Sequence, residues 1–110
     1  MVNSVAIIGS GNVATHLAKA IYKAGVEIKY VYSPTLANCK ALANYVNATA
    51  VDNIDCISDV DLIVIAIKDN AIKGIVERLR DKDSIVVHTS GGINIDVFDE
   101  KNIYDVYQRV

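Results

Sequence analysis

With 110 residues, 52% of them hydrophobic, 22% charged and a single proline, the chain is sized for one core and composed to bury it. That excludes a disordered polymer and leaves it short for a complete two-domain enzyme. Eleven basic against thirteen acidic residues give a formal charge of −2, spread without blocks, so neither nucleic acid nor an anionic membrane is an expected partner and any anion must be held locally.

The elements follow in chain order. Residues 4 to 8, SVAII, form a short β-branched run that ends in glycine and predicts a buried strand. Val13, Leu17, Ile21 and Ala24 then recur on one helical face, with Gly25 where a C-terminal cap belongs. EIKYVY at 27 to 32 is a second strand stopped by Ser33 and Pro34, and Leu36, Cys39, Ala43 and Val46 give a second amphipathic helix from Thr35 to about Val46. ATAV at 48 to 51 is a short third strand and 52 to 60 a connection. DLIVIAI at 61 to 67 has the near-continuous apolar pattern of a central parallel strand. Asp69 or Asn70 caps a helix whose face carries Ile72, Ile75, Val76 and Leu79. SIVVHTSGG at 84 to 92 is a fifth strand and NIYDVY at 102 to 107 a sixth, in which Tyr104 and Tyr107, like Tyr30 and Tyr32 of the second strand, are packing residues.

Strands alternating with helices imply right-handed βαβ crossovers. The expected fold class is α/β, a doubly wound, mostly parallel sheet of about six strands in the Rossmann order. In such sheets ligands lie beyond the carboxyl ends of the strands. No apolar run approaches the roughly 18 residues of a membrane span, and the first residues show no secretion signal, so a cytoplasmic location is expected. Cys39 and Cys56 lack a CxxC partner or a histidine cluster. They are expected to be reduced and mostly buried, with no metal site.

Gly9, Gly11 and Ala14 fit G-x-G-x-x-G/A between a strand and a helix, in the turn Gly9-Ser10-Gly11-Asn12-Val13-Ala14. Gly9 can take a backbone angle closed to other residues, Gly11 leaves room for a pyrophosphate, and Ala14 lets helix and strand pack closely. The N–H groups of Asn12, Val13 and Ala14 then point at the anion with the helix dipole behind them. A P-loop is excluded, because no Gly-Lys-Ser/Thr follows. At the end of the second strand a carboxylate would hold the ribose hydroxyls of NAD and repel the 2′-phosphate of NADP. Tyr32 and Ser33 stand there, neither acidic, while Glu27 opens the strand at the wrong end. Ser33 and Thr35 can donate hydroxyls to a 2′-phosphate, with Lys40 adding charge, although Ser33 equally suits a helix cap. NADP is favoured over NAD, and the missing carboxylate also argues against S-adenosylmethionine.

GSGNVATHLAKAIYKAG, VYSPT, AIKDNAI and VVHTSG, in that order and spacing, resemble the N-terminal domain of the NADP oxidoreductases in the Rossmann-like family related to pyrroline-5-carboxylate reductase and deazaflavin-dependent NADP reductase. The likeness covers essentially the whole chain. It implies that Ile67, Lys68 and Asp69 after the fourth strand, and Thr89 and Ser90 after the fifth, border the cofactor's ribose and nicotinamide. Two departures stand out. The family often has an arginine after the serine of VYS, where this chain has Pro34, which weakens the NADP assignment. Relatives also run from the last strand through an aromatic-proline-leucine stretch into a helical domain that dimerises and closes the substrate pocket. Here Tyr107 is followed by Gln108 and Arg109, so residues 1–110 read as the dinucleotide-binding domain alone, a truncated fragment or a shortened gene product. Without a covering domain, exposed apolar surface makes a homo-oligomer one expected outcome.

Hydride transfer needs a held nicotinamide, a proton donor and exclusion of water. His88, His16 and the pair Lys68 and Asp69 each have a structural explanation, as packing, solvent contact, or cap and phosphate neighbour, and no catalytic residue is assigned. The leading reading is an NADP-dependent reductase, or its cofactor domain, acting on a small-molecule carbonyl or imine. The alternatives are a stand-alone nucleotide-binding sensor without catalysis and, least favoured, an interaction domain with a vestigial glycine turn.

Overall fold

The computed structural model describes residues 3–67, 74, 75, 77–79, 84–88 and 103–105, with His88 and 103–105 described by backbone alone. The elements run β1 (Ser4–Ile8), α1 (Asn12–Lys23), β2 (Glu27–Tyr32), α2 (Leu36–Tyr45), β3 (Thr49–Val51), β4 (Leu62–Ile65), β5 (Ile85–His88) and β6 (Ile103–Asp105). Helical backbone at 74, 75, 77 and 78 lies where the apolar face of Ile75 and Leu79 predicts it, while Lys68, Asp69, Asn70, Ile72, Val76, residues 89 to 92, Asn102 and Tyr107 lie outside the described residues. The six strands form one sheet in the order β3-β2-β1-β4-β5-β6. Every pairing is parallel. The order reverses between β1 and β4, as a doubly wound sheet requires.

Each face of the sheet has its own core. On one, Val5, Ile7, Ile28, Val31 and Val64 meet Ala14 and Ala18 of α1 and Cys39, Leu42, Ala43 and Val46 of α2. On the other, Ala6, Ile8, Tyr32, Ile63 and Ile65 meet Ile54, Ile57, Val60 and Leu79. Because β1 and β4 are covered on both sides, their residues are apolar at nearly every position rather than at alternate ones. Burying side chains the size of Ile7 and Ile63, both 0% exposed, contributes about 2 kcal/mol each.

Three expectations are corrected. The buried stripe of α1 is Ala14 and Ala18, flanked by Leu17 and Ile21. Val13 is 44% exposed, on the side of α1 turned away from Ala14 and Ala18, and Ala24, the C-cap that follows the helix, is also exposed. The connection after β3 contains a one-turn 3₁₀ helix, Ile54–Cys56, in which the Asn53 side chain accepts the Asp55 N–H. Its outward turn leaves Cys56 exposed, so only Cys39 is a buried thiol.

Candidate functional site

The turn from β1 into α1 lies at the carboxyl edge of the sheet, and its two glycines have different physical reasons. Gly9 has φ +127°, and a β-carbon there would overlap the Ala66 carbonyl oxygen at the end of β4. Its N–H donates to the Tyr32 carbonyl at 2.8 Å, tying the turn to β2 as well. The fold itself therefore demands glycine at position 9. Gly11 differs. Its φ of −79° and ψ of −166° are ordinary extended backbone, and a β-carbon there would meet no atom within 4 Å. Nothing in the packing requires a glycine at that position.

Gly11 is the N-cap of α1 and has no side chain to accept a bond, and the first turn carries no acid. The earliest helical bond is Thr15 N–H to the Gly11 carbonyl at 2.9 Å. Among the described residues no acceptor meets the N–H groups of Asn12, Val13 and Ala14, and the side chains of Ser10 and Asn12 make no hydrogen bond. A 12-residue helix thus ends in bare donors carrying the positive end of its dipole, the arrangement that holds anions. Ala14 is fully buried, which draws this end of α1 onto the sheet. Ile67, just past β4, is half-buried and its Cγ2 lies 3.3 Å from where a Gly9 β-carbon would stand, so the β4 end and the glycine turn form one wall.

The β2 end forms the neighbouring wall. Ser33 is 4% exposed; its N–H donates to the Val51 carbonyl at 3.1 Å and its Oγ accepts the Thr35 N–H at 3.3 Å. Thr35, not Ser33, is the N-cap of α2, and its exposed hydroxyl makes no capping bond. Lys40 is exposed on α2, and Glu27 lies at the opposite edge. Behind the turn, the Cys39 thiol donates to the Leu36 carbonyl at 3.4 Å and the Val51 carbonyl at 3.8 Å. Burial pushes that thiol above its ordinary range, with the Asp52 charge adding to the effect. Such a thiol is packing, not a nucleophile.

Sequence reasoning missed Asp52. It is the first residue past β3, exposed, and unpaired among the described residues. Its signal was available, since a strand ending at Val51 brings the next residue to the carboxyl edge. Of the other site candidates, Lys68, Asp69, Thr89 and Ser90 lie outside the described residues, as does the His88 side chain; His16 is exposed on α1. No helix among the described residues is long and apolar enough to cross a membrane.

Among solved structures, the chain resembles a Bacteroides fragilis protein provisionally designated an NADP oxidoreductase, with 31% identity and a TM-score of 0.82 over 92% of this chain and 40% of that one. It also resembles Lactobacillus casei myo-inositol dehydrogenase, solved in complex with NAD(H) and myo-inositol, at 16% identity and TM-score 0.82 over 99% of this chain and 38% of that one. A third is A. aeolicus prephenate dehydrogenase in complex with hydroxyphenyl propionate and NAD+, at 16% identity and TM-score 0.80 over 96% of this chain and 41% of that one. The last two likenesses show the fold alone. This chain spans about two fifths of these proteins. No curated protein matches it. The model of one family, described as NADP oxidoreductase, coenzyme F420-dependent, matches residues 4–92, and the chain belongs to that family.

Proposed function

We propose that the chain is the NADP(H)-binding domain of an oxidoreductase that transfers hydride to or from a small carbonyl or imine. The observation that carries this is Gly11, a glycine without a conformational or packing reason beside three bare amides. It is explained if the missing side chain leaves room for a diphosphate. Hydride chemistry is the nicotinamide's when it is bound. The chain's own part is to hold and orient. Asn12, Val13 and Ala14 would donate main-chain N–H groups to the pyrophosphate, while Ser10 and Asn12 have side chains free to add bonds. Ile67 would form an apolar wall, with Lys68, Asp69, Thr89 and Ser90 proposed beside it.

Family membership and the lack of a carboxylate ending β2 support NADP over NAD. The free Thr35 hydroxyl suits a 2′-phosphate, whereas the Ser33 hydroxyl oxygen already accepts the Thr35 amide. The relatives are much longer than the matched region, and we assign closure over the substrate to the part they have beyond it.

Calorimetric titration with NADPH and NADH tests the reading, with Gly11→Asp as the decisive variant. Aspartate is at least as good an N-cap as glycine, so stability should hold or rise by a few tenths of a kcal/mol. Its carboxylate would occupy the diphosphate position, and NADPH affinity should fall by about 100-fold or more, since a like charge is forced against the anion. Retained affinity in this folded variant overturns the proposal. Turnover of carbonyl and imine substrates by the full-length protein separates an enzyme from a nucleotide sensor.

A further inference from the structure

Tyr32 pairs with Val51 in the parallel ladder between β2 and β3, and the Ser33 N–H extends that ladder by donating to the Val51 carbonyl. Ser33 and Asp52 therefore stand level on adjacent chains, about 5 Å apart at their backbones. The same Val51 carbonyl accepts from the Cys39 thiol, and Cys39 lies in the first turn and a half of α2, whose N-cap is Thr35. Asp52 thus shares one patch of the carboxyl edge with Ser33, Thr35 and the amino end of α2. That placement is consistent with the Asp52 carboxylate being a minor contributor, after burial, to the raised pKa of the Cys39 thiol. Asp52 has no cationic partner among the described residues: Arg78 is paired with Asp55 at 3.5 Å, and Lys29 donates to the Asp59 carbonyl at 2.8 Å.

We propose that Asp52 is a specificity-determining residue that opposes a phosphate on the adenosine 2′-oxygen and so restrains this chain's preference for NADP over NAD. The inference rests on the nucleotide-binding reading above. The first turn of α2 contains no acid or base of its own, and Pro34 stands between Ser33 and Thr35 without a charge; among the described residues Asp52, just past β3, supplies the negative charge of that patch, and Lys40, exposed in the second turn of α2, makes no ion pair with it. A 2′-phosphate brought to the Thr35 hydroxyl and the α2 amides would meet an uncompensated carboxylate; the two hydroxyls of NAD ribose would not.

The test is calorimetric titration of the full chain and its Asp52→Asn variant with NADPH and NADH. The asparagine variant should bind NADPH about 3- to 10-fold more tightly and NADH equally well, and raising salt should narrow the gap, because the removed charge is exposed. An unchanged NADPH to NADH ratio overturns the proposal. So does a fall in NADH affinity, which would make Asp52 a direct ribose acceptor. If the unmodified chain binds neither nucleotide, the nucleotide-binding reading itself has failed, an outcome visible before any variant is made.

Discussion

Gly9 and Gly11 are the same residue two positions apart, yet the physics sets them to different tasks. Gly9→Ala should cost about 2 to 4 kcal/mol, from positive-φ strain plus the push of a methyl group against the Ala66 carbonyl. Gly11→Ala should cost less than about 1 kcal/mol, the difference between a fair and a poor N-cap. Urea denaturation of the two variants checks this, and a neutral Gly9→Ala would mean that the β4 end yields to the turn. The motif was legible in the sequence; the division of labour was not, since it depends on β4 reaching Gly9 from more than fifty positions away. The same limit applies to Ser33 and Thr35. Ser33 suits the cap of α2 on sequence grounds, but its side chain accepts the Thr35 amide and its own N–H is tied to β3, which leaves the N-cap position to Thr35. Asp52 went unread although the end of the third strand was legible at Val51, because only the pairing of β3 with β2 sets Asp52 level with Ser33.

Both helices on the first face end the same way. At α1, the Gly25 N–H donates to Tyr22 and the Val26 N–H to Ile21; at α2, the Asn47 N–H donates to Asn44 and the Ala48 N–H to Ala43. Each is a Schellman motif, with Gly25 at φ +85° and Asn47 at φ +59°. A β-carbon on Gly25 meets nothing within 4 Å, so Gly25→Ala should cost about 1 kcal/mol from backbone conformation alone. Asn47→Gly should be neutral or stabilise by up to about 0.5 kcal/mol, since asparagine already tolerates that region. Thermal denaturation compared across the pair tests the assignment. The Gly25 stop was readable because glycine after an apolar helical face has few other uses; Asn47 fits a turn or a solvated loop equally well. The strands were legible from their β-branched runs, but the register of β2 was not. Val5 pairs with Ile28 and Ala6 with Tyr30, so Lys29 is bulged out, and its amine reaches the Asp59 carbonyl at 2.8 Å. That extra residue puts Ile28 on the same face as Val31, where plain alternation would have set it with Tyr30 and Tyr32.

At the scale of the whole molecule the two edges of the sheet are built for opposite purposes. Along the amino edge polar groups are closed on one another: the Asp61 carboxylate accepts the Asn3 and Ser4 N–H groups at 2.7 and 3.2 Å, and Ser84 Oγ donates to the Val60 carbonyl at 2.6 Å. Along the carboxyl edge the α1 amides are left open. The stability set at one edge should therefore be separable from the ligand response at the other, which β1 places about 16 Å away. Asp61→Asn weakens charge-assisted bonds and should lower the melting temperature of the free protein by about 4 to 8 °C, for a loss near 1 kcal/mol. NADPH at about 100 times its dissociation constant should add about 2.7 kcal/mol, or roughly 11 to 22 °C, to the unmodified chain. It should add the same increment to Asp61→Asn at the same degree of saturation. Gly11→Asp should show the reverse pattern, keeping the free protein's melting temperature and losing the increment. Thermal scans of the three proteins with and without nucleotide decide the matter: an increment that shrinks in Asp61→Asn would mean the edges are coupled through β1 and β4, and that bare amides alone do not account for the ligand response.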